Sequence, residues 1–168
     1  MRIENRASLL SYSATFIALI AAGSWISIPF IPVPLTLQTL FVLLAGVVMR
    51  RHAVIPVTLY LILGALNLPV FHNGTAGIGI LLGPTGGYLI GFVPAALIAG
   101  LAYESRSKFT RILGLTIASL MIYLFGVSWL SYSASIPIFE ATILGMVPFI
   151  LGDAAKLYAA YVIGERLE

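Results

Sequence analysis

Lysine and arginine in this chain stand almost entirely at the ends of long apolar runs, and only at alternate ends. Arg2 and Arg6 precede the first run, and the connection at 29–35 carries no charge. Arg50 and Arg51 come next, and the long connection at 67–87 again has none. Arg106, Lys108 and Arg111 follow, then 132–140 without lysine or arginine, then Arg166. Basic residues are retained on the cytoplasmic side of a membrane. The pattern therefore predicts an even number of crossings with both termini in the cytoplasm, because an odd number breaks the alternation.

Six runs fit between these connections: 7–28, about 36–49, 53–68, about 88–103 with an approach from residue 78, 109–129 and 141–164. A crossing helix needs about 20 apolar residues, so the second and third are short. The chain is 60% hydrophobic, 9% charged and has a mean hydropathy of +1.06, against about 25% charged in soluble domains. The expectation is one all-α integral membrane domain over 1–168, a compact bundle of six transmembrane helices in the cell membrane with the lipid bilayer as its solvent. The first run is longer than a signal-peptide core of about 7–15 residues and reads as a membrane helix. Scattered basic residues give no patch for nucleic acid. The absence of cysteine excludes disulfides, thiolate metal sites and cysteine nucleophiles, and two histidines in separate loops make no metal site.

Two connections are unusual. The first holds Pro29, Pro32 and Pro34, which bar helix and favour extended chain. The second, NLPVFHNGTAGIGILLGPTGG, is Gly-rich yet apolar. Its backbone polar groups need protein or cavity partners at membrane depth. It is expected to fold over the bundle as an external lid between the third and fourth helices, burying Ile78, Ile80, Leu81 and Leu82; the other reading is a surface hairpin.

The last run carries Asp153 and Lys156 in its interior. Each charge at a membrane-helix centre costs about 2.5–3.5 kcal/mol, and residues three apart share one helix face. They read either as a self-neutralising pair between helices or as groups that meet a polar ligand, Asp153 accepting and Lys156 donating hydrogen bonds; a proton-carrying role also fits a buried lysine. Aspartyl-protease chemistry is excluded because it needs two carboxylates and Asp153 is the only aspartate. Neither Gly-x-Ser-x-Gly nor His-Glu-x-x-His occurs, so no enzyme and no cofactor is expected.

Other motifs have two readings each. Ala14, Ala18 and Ala22 form a small-residue stripe, suited to close approach of an internal helix or of a partner. The segment Gly83-Pro84-Thr85-Gly86-Gly87-Tyr88 lacks the Gly-Lys-Ser/Thr of a nucleotide loop; it is a tight turn with a helix cap or a small-anion site at a helix start. Thr36, Gln38 and Thr39 open the second run, where Gln38 needs a polar partner, either a neighbouring helix or a ligand. His72 and Asn73 lie in the lid, where the two readings are a ligand contact and, favoured for His72, a solvated loop residue. Trp25, Trp129 and Tyr132 read as interfacial anchors.

PVPLTLQTLFVLLAG (32–46), LGALNLPVF (63–71), GILLGPTGGYLIGF (79–92) and GDAAK (152–156), in that order, resemble the BioY family of biotin-specific substrate-binding subunits of energy-coupling factor transporters. The resemblance implies high-affinity external binding of biotin, a vitamin with an apolar bicyclic ring, a ureido group and a carboxylate tail. It implies contacts from Asp153, Lys156 and Gln38, with Asn73, Gly83, Thr85, Gly86, Gly87 and Tyr88 closing over the ligand. It implies partners as well: a transmembrane coupling subunit that docks on Ala14, Ala18 and Ala22, and two cytoplasmic ATPase subunits. Leu151 stands where many members carry proline, and no arginine occurs between Arg51 and Arg106. Alternatives are a subunit of this fold for another vitamin, or a self-sufficient proton-linked secondary carrier.

Overall fold

A computed structural model describes residues 5–167; Arg2, counted above among the N-terminal charges, lies outside them. Helix α1 (Arg6–Trp25) begins at Asn5, whose side chain caps the Ser8 amide at 2.8 Å while Ser8 reaches back. The proline-rich connection is extended, as its composition requires, and is pinned by a two-residue antiparallel ladder between β1 (Ser27–Ile28) and β2 (Leu35–Thr36).

Helix α2 (Gln38–Met49) and α3 (Val54–Ala65) are separated by one 3-10 turn at Arg50–Ala53. Arg50 adopts φ +56° there, and the chain doubles back: Tyr60 of α3 bonds Gln38 at the far end of α2, 2.6 Å away. After the 67–87 connection, α5 (Gly86–Ala102) and α6 (Lys108–Ser133) pack as an antiparallel pair. Ser107 caps α6 through the Thr110 amide. Four helical stretches are long and apolar enough to cross a membrane, at 6–25, 38–65, 108–133 and 138–166, and α5 is a shorter apolar helix.

The last run departs from the single helix predicted for 141–164. It is two helices, α7 (Ile138–Gly145) and α8 (Ile150–Arg166), joined by a 3-10 turn at Val147–Phe149. Pro148 explains the break: it lacks an N–H and its ring excludes the preceding helical turn. The consequence reaches the charged pair. Asp153 lies in the first turn of α8, where a helix start favours a carboxylate, rather than in the middle of an unbroken helix.

Charge is segregated. At one end Arg111 meets Glu165 at 2.7 Å, Arg51 meets Glu104 at 2.9 Å and Lys108 lies 3.8 Å from Glu165. The guanidinium carbons of Arg50 and Arg111 lie 5.4 and 5.1 Å from the Tyr103 ring centre, a cation–π arrangement that ties the ends of α2, α5, α6 and α8 together. The proline-rich connection, the 67–87 connection and the α6–α7 turn occupy the opposite end.

That long connection is an ordered cover with a short 3-10 turn at His72–Gly74 and a five-residue helix α4 (Ile78–Leu82). Phe71 is fully buried. It fits edge-on to Tyr60, 5.6 Å between ring centres, in a slot that any side chain at Gly64 would fill. Ile80 and Leu81 pack on the core, but Ile78 and Leu82 each remain 63% exposed. The expectation that all four are buried fails because a short helix lying on a surface can bury only one face.

Candidate functional site

A cavity opens between the two connections at the end opposite the charge cluster. Its wall is mostly apolar: Val33 and Pro34 from the proline-rich connection, Tyr88, Leu89 and Phe92 from α5, Ile122 from α6 and Phe149 from the α7–α8 turn. Polar groups converge on it from five places: Thr36, Gln38 and Thr39 around the start of α2, His72 from the cover, Thr85 before α5, Tyr123 from α6, and Asp153 with Lys156 from α8.

The charged pair is closed and oriented. Lys156 Nζ donates to Asp153 Oδ1 at 2.7 Å and to Thr39 Oγ1 at 3.0 Å. The Thr39 hydroxyl, having accepted from Lys156, donates to Asp153 Oδ1 at 3.3 Å. Tyr123 donates to Asp153 Oδ2. Three donors thus hold the carboxylate, and the ammonium keeps one N–H uncommitted. The side chains are 16% and 9% exposed, which places the pair at the floor of the cavity.

Gln38 is 4% exposed and its amide is oriented by a chain of partners. Tyr60 donates its one proton to the Val70 carbonyl at 2.8 Å, so its oxygen accepts from Gln38 Nε2. The Gln38 amide must therefore turn its nitrogen to Tyr60, which leaves the carbonyl oxygen and the second N–H for other partners. Ser24 of α1 also donates to Val70, at 2.7 Å. The same chain therefore anchors the root of the cover, just before Phe71 and His72. Tyr60→Phe is expected to cost about 1–2 kcal/mol of stability by leaving Gln38 Nε2 without its partner; chemical denaturation in detergent measures it, and an unchanged midpoint would show that the chain of bonds contributes nothing.

Tyr88 is a fixed wall. Its hydroxyl donates to the Gly145 carbonyl at 2.8 Å, and its ring occupies a slot on α6 that any side chain at Gly126 would obstruct. His72 is half-buried, and that desolvation lowers its pKa, so it is neutral at pH 7.

Of the residues singled out from sequence, Asp153, Lys156, Gln38, Thr85 and Tyr88 come together at this cavity. Asn73 does not: it is exposed and accepts from Ser27 at 2.7 Å. Gly83, Gly86 and Gly87 do not line it either. A side chain at Gly86 would strike the Leu81 backbone, one at Gly87 would strike Trp129, and the Gly83 carbonyl accepts from Trp129 at 2.9 Å; these are close-packing roles. His72 lines the cavity, as the ligand-contact reading requires and the solvated-loop reading does not. Tyr123 and Phe149 also line the cavity, and no sequence motif marks either. For Tyr123 the available signal was a phenol in the middle of an apolar helix, which needs a hydrogen-bond partner when buried.

Residues 1–168 match the sequence model of the BioY family. The chain is 43% identical over 164 residues to a probable biotin transporter BioY of Pyrococcus horikoshii, covering 97% of this chain and 98% of that protein. It is 43% identical over 155 residues to the biotin transporter BioY of Thermotoga maritima, covering 91% of each. Its fold superposes on a crystal structure of the S-component for biotin from an ECF-type ABC transporter with a TM-score of 0.87 and 31% identity, covering 99% of this chain and 94% of that one.

Proposed function

We propose, because this chain belongs to the BioY family, that it is the biotin-binding component of an energy-coupling factor transporter and brings biotin into the cell. The observation that carries the reading is the floor of the cavity. Biotin offers an apolar bicycle with a neutral ureido group that both donates and accepts hydrogen bonds. The cavity offers apolar walls around an oriented carboxylate, an ammonium with a spare N–H and an amide carbonyl, which matches that chemistry. The chain is a transport component and not an enzyme.

In this reading the protein makes six crossings, counted as α1, α2, α3, α5, α6 and the α7–α8 pair. The basic end, with both termini, faces the cytoplasm by the positive-inside rule. The cavity then opens outward, and the segment from Val70 to Thr85 is its lid. The short α2 and α3, 12 residues each, lean on neighbouring helices for much of their length. Energy comes from partners, a transmembrane coupling subunit and two cytoplasmic ATPase subunits, since the chain has no nucleotide-binding motif.

Titration calorimetry of the purified protein with biotin tests the binding step. Saturable one-to-one binding well below micromolar biotin is expected, and no heat at micromolar biotin would sink the proposal. Vesicles holding this chain alone, without an ATPase, are expected to bind biotin but not to accumulate it. Accumulation driven by a proton gradient would favour the secondary-carrier alternative instead.

A further inference from the structure

We propose that the site recognises biotin through its neutral ring and does not read the tail carboxylate, so that biotin esters and amides bind about as tightly as biotin. This rests on the biotin reading above. The argument is the distribution of charge. Two basic side chains line the cavity, Lys156 and His72. Lys156 is committed to Asp153 and Thr39. A ligand carboxylate brought to its ammonium would also stand against the Asp153 carboxylate, only 2.7 Å from the same nitrogen, and a like charge there offsets the attraction. The half-buried His72 imidazole is uncharged at pH 7.

The remaining described lysine and arginines sit at the charged end. Arg6 opens α1, whose other end reaches the cover through Ser24 and Val70. Arg50 and Arg51 form the α2–α3 turn, Arg106 lies in the α5–α6 connection, and Lys108 and Arg111 gather on Glu165 beside Arg166. At the cavity end the other formal charge among described residues is Glu140, exposed in the first turn of α7. With the pair neutral, that end is net negative. An anionic tail therefore meets no uncommitted side-chain cation at that end. A neutral donor such as the Thr85 hydroxyl bonds an ester or amide carbonyl as well as a carboxylate.

Calorimetry or competition with biotin, biotin methyl ester and biotin amide tests this on the intact purified chain. The three are expected to agree within about fivefold, and biotin affinity is expected not to fall as salt rises, because no free cation is there to be screened. A site that reads a carboxylate through a buried cation loses on the order of 100-fold when the tail is neutralised; that result, with biotin still tight, overturns this inference alone. Binding of none of the three overturns the biotin reading and this inference with it.

Discussion

Lys156→Ala is expected to destabilise the folded chain by about 3–5 kcal/mol, because it strands a largely buried carboxylate without its cation. The hydrogen bonds from Thr39 and Tyr123 persist and hold the loss toward the lower end of that range. Asp153→Asn removes the anion from the other side and leaves the ammonium with Thr39 and a neutral carbonyl. Each single substitution should also weaken biotin binding by about 1–3 kcal/mol or more, the cost of unpaired buried polar groups. On their own these losses do not separate a binding role from a structural one, since a partly unfolded protein binds poorly. The double variant Asp153→Leu with Lys156→Met separates them. Replacing both members of a buried pair by apolar groups of similar size is often neutral or stabilising. The double variant is therefore expected to recover most of the melting temperature lost by the single ones, with no detectable biotin binding. Recovery of binding along with stability would show that the pair only braces α8 against α2.

The pair was visible in the sequence because two charges in an apolar run are conspicuous by their cost. Its surroundings were much less so. Thr39 and Tyr123 stand 114 and 30 positions from Asp153 in the chain. Which side chain closes a carboxylate over such separations depends on helix packing that no local pattern encodes. The segregation of basic residues was legible because charge placement is a one-dimensional signal. The break at Pro148 is hidden in hydropathy because the run stays apolar through it. Gly83, Gly86 and Gly87 are the converse case. Glycine marks close backbone approach, but the sequence does not say what approaches, and here it is Leu81 and Trp129. For Asn73 the resemblance implies a place in a lid over the ligand, and no local pattern says which way its side chain turns. The segment instead buries Phe71 and leaves Asn73 outside with Ser27.

Ala18→Trp is expected to abolish biotin uptake while leaving biotin affinity unchanged. Ala14, Ala18 and Ala22 are all exposed on α1, which argues against the internal-contact reading of the stripe. Between Leu10 and Trp25 no exposed side chain of α1 is larger than threonine: the others are Ser11 and Thr15. The lipid-facing side of α6 differs, with Ile112, Leu113, Ile117, Leu120, Leu124 and Phe125 all exposed. A helix that meets only acyl chains gains nothing from a shallow face, whereas a second helix packs most closely where side chains are small. The stripe therefore suits the coupling subunit of the proposed function, and an indole at its centre would hold a docking helix away. Because Phe16, Ile20 and Ser24 face inward on the same helix, the added ring points away from the cavity and the fold. Calorimetry and thermal unfolding of Ala18→Trp are expected to match the parent protein. Accumulation of labelled biotin in cells that supply the coupling subunit and ATPases is expected to fall to background, and copurification of those subunits to fail. Full uptake by this variant would move the docking surface off α1, and a loss of biotin affinity would show that α1 shapes the cavity as well.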